Sequence, residues 1–404
     1  MTVEIFPSKA SGRIKAPASK SMAHRLLICA ALCDGTSTIR GISESEDILA
    51  TIDCLRSLGA VCEINGDTVT VTGKDMLTAM PSGTLHCRES GSTLRFLIPI
   101  ALACGRNTVF DGSSHLLSRP LNVYEEMCSE KGMLFSQDAG SVVVKGPLKA
   151  GEYRVPGNIS SQFISGLLFA LPLLNEDSTV TVLPPVESGS YIDLTVRALE
   201  ISGVSIERPS LNILKIKGNS RYRPIDVTVE GDYSNAAFLS AFNYTGGNVI
   251  IDGLDPDSLQ GDKIYSKYFE SISRGTPSIH IGDCPDLGPV MFALSASKYG
   301  GVYTGTRRLR IKESDRAEAM AEELRKFGVS VTVGDDSVVI YPKEFHAPDE
   351  VLNSHNDHRI VMALAVLCSI TGGKIAGAEA VRKSYPDFFE RISDAGIKVV
   401  YHED

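Results

Sequence analysis

The sequence predicts a two-domain α/β protein with an inside-out arrangement, each domain holding three β-α-β-α-β-β repeats around buried helices. Three observations predict it: an apolar helix that recurs six times, an amphipathic helix after each, and alternating runs that read as hairpins. Each apolar helix follows a short polar cluster. The six starts are Lys20-Ser21-Met22-Ala23-His24-Arg25 before LLICAAL, Ser90-Gly91-Ser92-Thr93 before LRFLIPIALA, Ser160-Ser161-Gln162 before FISGLLFALPLL, Ser234-Asn235 before AAFLSAF, Pro285-Asp286 before LGPVMFALSAS, and Asp357-His358-Arg359 before IVMALAVL. Successive starts lie roughly 70 residues apart, except the fourth and fifth at roughly 50.

A helix apolar on every side must be buried on every side. The second helices are apolar on one face only, and they begin near Ser45, Arg119, Tyr191, Lys263, Ser314 and Tyr385. Most end in Gly, the common left-handed stop. The runs VCEINGDTVTVTG from Val61, LFSQDAGSVVVKG from Leu134 and VSVTVGDDSVVIYP from Val329 alternate around turn residues and read as hairpins. Three units can bury their first helices together only if sheets and second helices wrap them from outside. The polar stretch Lys217 to Asp232 separates repeats three and four, and the strand at Val3 to Pro7 has no hairpin partner nearby. The expected domains are 14–227, and 1–13 with 228–404; two crossings between them would form a hinge that substrate closes.

At 404 residues the chain exceeds what one core usually supports. With 43% apolar and 22% charged residues it reads as an ordinary globular protein, and a net charge of -9 without a basic stripe gives no reason to expect nucleic acid. Nine scattered cysteines show no C-x-x-C pair and no zinc-ligand spacing, so Cys29 and Cys33 read as small buried hydrophobes in a reducing compartment. No run approaches a membrane span, and MTVEIFPSKA lacks a signal-peptide core. The expected location is the cytoplasm, with no membrane partner.

The helix starts carry the chemistry. Unsatisfied N–H groups and the helix dipole make an N-terminus attractive to anions. Ser90, Ser234 and Asn235 read as caps. Lys20, Arg25 and Arg359 do not, because cations are unfavourable at the positive end of a helix, and such local violations point to function. Six buried starts facing one cleft would draw in an anionic small molecule. The run RRLRIKESDR, with Arg307, Arg308, Arg310, Lys312, Glu313, Asp315 and Arg316, reads equally as a solvated helix entry capped by Ser314. Arg119-Pro120 reads as the opening of a second helix.

Taken together, KSMAHR, ESGSTLRF, SRPL, GNISSQF, YIDLT, EGDYSNAA, PDLGP, RIKESDR, NDHRIVMA and KSYPDFFE resemble, in order and along essentially the whole chain, the EPSP synthases, or 3-phosphoshikimate 1-carboxyvinyltransferases. The resemblance implies transfer of the enolpyruvyl group of phosphoenolpyruvate to the 5-hydroxyl of 3-phosphoshikimate by addition and elimination, in the shikimate pathway of aromatic amino acid biosynthesis. It also implies a monomer, with no metal and no organic cofactor. By matched motifs, 3-phosphoshikimate would be held by Lys20, Ser21, Arg25, Ser160, Ser161, Gln162, Ser188, Tyr191, Asp286 and Lys312. Phosphoenolpyruvate would lie against Lys20, Gly91, Ser92, Arg119, Gln162, Arg316, Arg359 and Lys383. Asp286 would take the proton of the attacking hydroxyl and Glu313 would protonate the methylene carbon, with Lys20 and His358 assisting.

Glu89, His24, Phe96 and Arg308 depart from the commoner family pattern, which bears on contact geometry and on inhibition by a phosphonate such as glyphosate, for which Gly91 leaves room. Two other readings compete. The sister enolpyruvyl transferase acting on UDP-N-acetylglucosamine uses a loop cysteine that SSHLLSRPL from Ser113 lacks. A non-catalytic anion-binding homologue would gain nothing from two carboxylates among its cations.

Overall fold

The computed structural model describes residues 1–74, 77, 83–341 and 345–402. The chain forms two compact units, Ala18–Glu230, and Met1–Pro17 with Gly231–Asp404. Each has its own hydrophobic core.

In the 18–230 unit the apolar helices are Lys20–Ala31, Gly91–Ala103 and Ser161–Ala170. In the other they are Tyr233–Tyr244, Gly288–Ala296 and His358–Thr371. Every residue of Gly288–Ala296 is buried, as its lack of a polar face requires. Burying a side chain such as Phe292 or Met291 stabilises by about 1.5–3 kcal/mol, which offsets the ordering of helices that no water can solvate.

Among the described residues five four-stranded sheets repeat one topology. In the second repeat, Leu85–His86 runs parallel to Asn107–Asp111 across the buried helix, and the hairpin Leu134–Gln137 with Val142–Lys145 adds antiparallel. Parallel neighbours need such a crossover, and the buried helix supplies it. Two of the hairpins return tightly over a buried helix end. A Cβ at Gly73 would overlap the carbonyl oxygens of Ala30 and Cys33, and one at Gly146 that of Leu102.

Three repeats borrow strands from distant chain. Asp226–Thr228 runs parallel to Gly35–Arg40 and opens the first repeat's sheet. Ser11–Lys15 pairs parallel with Asn248–Asp252 and opens the fourth. Thr2–Ile5 lies between Gly373–Ala376 and Val399–His402, antiparallel to both, and completes the sixth. The fourth repeat departs from the expected unit: its amphipathic helix Tyr265–Arg274 leads straight to Ser278–His280, and its sheet has two strands. The missing hairpin accounts for the shorter spacing there.

The second helices occupy Glu46–Ser57, Asn122–Lys131, Gly189–Ile201, Tyr265–Arg274, Arg316–Lys326 and Phe388–Asp394. Gly132 ends one in the left-handed region at φ 69°, whereas Gly275 is extended at φ 166° and is no such stop. Arg119-Pro120 does not open a helix. Arg119 closes the short helix Ser114–Ser118, and the next begins at Asn122. The expected hairpin end at Pro342 lies outside the described residues.

Candidate functional site

Within the 18–230 unit, polar side chains tie the starts of the buried helices together. Lys20, the first residue of its helix, pairs with Asp47 on Glu46–Ser57 at 2.7 Å. Behind it runs a buried chain of hydroxyls: His24 Nδ1 meets Thr51 Oγ1 at 2.7 Å, Thr51 meets Thr93 at 2.6 Å, and Thr93 donates to Ser90 Oγ at 2.7 Å. Burial, then the charges of Lys20 and Arg25, hold His24 well below the usual histidine range, so it adds no third positive charge. Ser90 also caps its helix by accepting from Thr93 N.

Arg25 clamps a second helix. Its Nε donates to Thr195 Oγ1 at 2.8 Å, Nη1 to the Ser21 carbonyl at 2.6 Å and Nη2 to the Tyr191 carbonyl at 2.9 Å. Burial lowers its pKa to about 10, still leaving it charged at neutral pH. Ser188, fully buried, sits in the left-handed region at φ 56° just before this second helix. Ser160 caps Ser161–Ala170 by accepting from Gln162 N, and Ser161 is buried beside it. The Gln162 amide is fixed from both ends, since Oε1 accepts from Arg95 Nη1 at 2.8 Å and Nε2 donates to Ser92 Oγ at 2.9 Å. Gly91 matters for what it lacks: a Cβ there would lie 2.8 Å from Arg119 Nη1.

The other unit gathers its charges around one guanidinium. Arg316 opens the helix Arg316–Lys326 and is 1% exposed. It binds Asp286 Oδ1 through Nη1 at 2.8 Å, Glu313 Oε2 through Nη2 at 2.7 Å, and Asp357 Oδ2 through Nε at 2.8 Å. Asp286 also meets Lys312 Nζ at 3.3 Å and Arg359 Nη2 at 3.2 Å. Asp357 caps the last buried helix by accepting from Arg359 N. Lys383 Nζ donates to the Asn356 carbonyl at 2.5 Å, where Asn356 adopts a left-handed φ of 52°. His358 is buried with Nδ1 3.8 Å from Asp357 Oδ1.

These neighbours set the protonation states. Burial pushes Asp286 up, but Lys312, Arg359 and Arg316 outweigh it and hold the carboxyl well below its usual range. Burial lowers Lys312 to about 8, with Asp286 opposing and Arg308 and Arg316 adding to the fall. Arg359 is 3% exposed, and among the described residues nothing accepts from its Nε or Nη1. Two buried, unspent donors suit a carboxylate or phosphate oxygen.

Two expected caps lie elsewhere. Asp232 caps Tyr233–Tyr244, while Ser234 donates to Asp262 and Asn235 to Ser384. Asp315, not Ser314, caps Arg316–Lys326, and Ser314 Oγ donates to Asp357 at 3.0 Å. At the first helix an Asp two residues before Ser234 takes the free N–H of Asn235, and at the second the Asp that follows Ser314 takes that of Glu318. Sequence reasoning also missed Asp47, Arg95, Thr195 and Asp357 as partners of the expected site residues. The only local signal was that Asp47 and Asp357 sit at helix starts.

Glu322, Glu323 and His355 form the one cluster among the described residues with metal-ligand proximity. Glu323 is already engaged by Lys326, the Asn353 N–H and His355, and none of the three belongs to the expected site set. No helix among the described residues is long and apolar enough to cross a membrane.

A family model described as EPSP synthase (3-phosphoshikimate 1-carboxyvinyltransferase) matches residues 6–392. A 3-phosphoshikimate 1-carboxyvinyltransferase of Clostridium kluyveri is 41% identical, covering 98% of this chain and 97% of that protein. One of Clostridium acetobutylicum is 42% identical with the same coverages. The fold matches a solved EPSP synthase of Acinetobacter baumannii with a TM-score of 0.79 at 24% identity, over 99% of this chain and 100% of that one. Ordered helix-start motifs, the repeated β-α-β-α-β-β sheets and a whole-length match lead to one conclusion: the chain belongs to the EPSP synthase family.

Proposed function

We propose that the chain transfers the carboxyvinyl group of phosphoenolpyruvate to the 5-hydroxyl of 3-phosphoshikimate, releasing phosphate, with Asp286 and Glu313 as its proton-transfer pair. The observation that carries the pairing is that one buried guanidinium, Arg316, holds both carboxylates at 2.8 and 2.7 Å. In the addition, the hydroxyl oxygen attacks C2 of phosphoenolpyruvate while its proton passes to Asp286 and Glu313 protonates the methylene carbon. In the elimination, the C–O bond to phosphate breaks and a methyl proton returns to a carboxylate. Each direction needs one acid and one base.

Lys312, Arg316, Arg359 and Lys383 bind and neutralise the anionic groups of the substrates, as do Lys20, Arg119 and Arg25 in the other unit. Gly91, Ser92 and Gln162 approach phosphoenolpyruvate; Ser21, Ser160, Ser161, Ser188 and Tyr191 bind 3-phosphoshikimate; Lys20 and His358 assist proton transfer. In the unliganded protein Asp286, pinned low by three cations, is a weak base. Substrate anions that draw on Lys312 and Arg359 weaken that hold, so basicity rises when both substrates are bound.

Nine buried cysteines, none of them in a disulfide, support a reducing compartment, and we infer a cytoplasmic monomer. The decisive experiment measures phosphate release from phosphoenolpyruvate with 3-phosphoshikimate, and separately with UDP-N-acetylglucosamine. Turnover with the second alone would sink the assignment.

A further inference from the structure

Asp262 is a buried carboxyl near the charge cluster to which the reaction gives no role. It lies on the short turn Gly261–Ile264 and is 2% exposed. Its Oδ2 accepts a hydrogen bond from Ser234 Oγ, while among the described residues the buried Oδ1 has no partner. An ionised carboxyl with one unsolvated oxygen is costly unless a cation reaches it. Its charged neighbours are Asp286 on the turn Pro285–Leu287, Asp232 at the start of Tyr233–Tyr244, and Arg359 on His358–Thr371. Tyr268 and Cys284 also face it, and burial keeps both neutral, with Tyr268 raised to about 12 and Cys284 raised further.

Both carboxyls lie within electrostatic reach of the Arg359 guanidinium, though only Asp286 is bonded to it. Arg359 already spends Nη2 on Asp286 Oδ2, and its buried Nε and Nη1 have no acceptor. We propose that Asp262 is a positioning residue for Asp286: ionised, it competes for Arg359 and frees Asp286 to accept a proton; protonated, it leaves Arg359 committed to Asp286. Burial and Asp286 raise the Asp262 pKa, Ser234 and Arg359 lower it, and the balance falls at about 7. The device therefore operates across the neutral range. The inference rests on Asp286 acting as the base.

The test is the pH profile of kcat for the wild type, Asp262→Asn and Ser234→Ala. In the wild type, kcat should rise about tenfold through an ionisation near pH 7. Asp262→Asn, locked neutral, should stay at the low plateau with little change in either KM. Ser234→Ala removes a donor to the anion, so its rise should move to higher pH; this variant also serves if Asp262→Asn folds poorly. An unchanged rise in Asp262→Asn overturns the proposal.

Infrared spectroscopy of the unliganded protein reads the ionisation without activity. A protonated-carboxyl band should be present at pH 6, absent at pH 8.5 and missing from Asp262→Asn at both; no such difference between the proteins also overturns the proposal. Asp286→Asn separates the two levels of argument. Full activity in that variant removes Asp286 as base, whatever Asp262 does.

Discussion

Arg316 and Asp357 form a fully buried two-point ion pair, Nε to Oδ2 at 2.8 Å and Nη2 to Oδ1 at 3.3 Å. The pair joins two helix starts, because Arg316 opens one helix and Asp357 caps another. It also orients the guanidinium that holds Asp286 and Glu313. Removing one member of a buried pair leaves the other charge undercompensated, at a cost of about 3–5 kcal/mol. Arg316 keeps two carboxylates, so Asp357→Asn should destabilise by about 2–3 kcal/mol. Urea unfolding measures it, and an unchanged midpoint would show that the pair is dispensable.

Glu313→Gln tests the proposed acid directly. The amide keeps the size of the side chain but cannot cycle a proton, so kcat should fall about 100-fold or more while both KM values change little. A turnover number equal to wild type would remove Glu313 from the mechanism. Because Glu313 is one of three carboxylates on Arg316, stability should change much less than in Asp357→Asn.

The contrast between these two residues shows where sequence is legible. Helix periodicity and turn residues are local signals, so the six buried helices and the hairpins at Val61 and Leu134 could be read directly. Arg316 and Asp357 are 41 residues apart, Lys20 and Asp47 are 27 apart, and only packing decides that they meet. Glu313 is legible through resemblance; Asp357, in an equally recognisable segment, shows in the sequence only as part of a helix-start cluster, and its pairing with Arg316 is decided by packing. The strands at Ser11–Lys15 and Asp226–Thr228 complete sheets whose other members lie far along the chain, which no local pattern encodes.

Lys312 should impose an alkaline limit on substrate capture. Its pKa in the unliganded protein is lowered to about 8, from an ordinary value near 10.5. The cation is present below pH 8 and lost above it, and an anionic phosphate binds the cation. Thus kcat/KM for 3-phosphoshikimate should fall about tenfold per pH unit above that value. The stability sign runs the other way: the unfolded chain binds the proton more tightly, so this group makes the fold more stable as pH rises from about 8 to 10.5. Lys312→Arg keeps its charge at all these pH values and should lose the alkaline fall. A fall retained in that variant would assign the limit to another group.

Gly91→Ala tests the approach to phosphoenolpyruvate. The new Cβ would meet Arg119 Nη1 at 2.8 Å, Arg119 Cζ at 3.2 Å and Arg95 Nη1 at 3.3 Å. These are the ends of long side chains, so the fold can yield and stability should change by less than about 1 kcal/mol. The guanidinium of Arg119 cannot keep its place, and KM for phosphoenolpyruvate should rise about 3- to 10-fold, the equivalent of weakening one charged contact. A phosphonate such as glyphosate, bulkier than the substrate at its nitrogen, should lose more: its inhibition constant should rise by a larger factor than KM. Steady-state inhibition of both proteins measures the two ratios. Equal factors would mean that Gly91 admits the inhibitor and the substrate alike, and that its role is to seat Arg119.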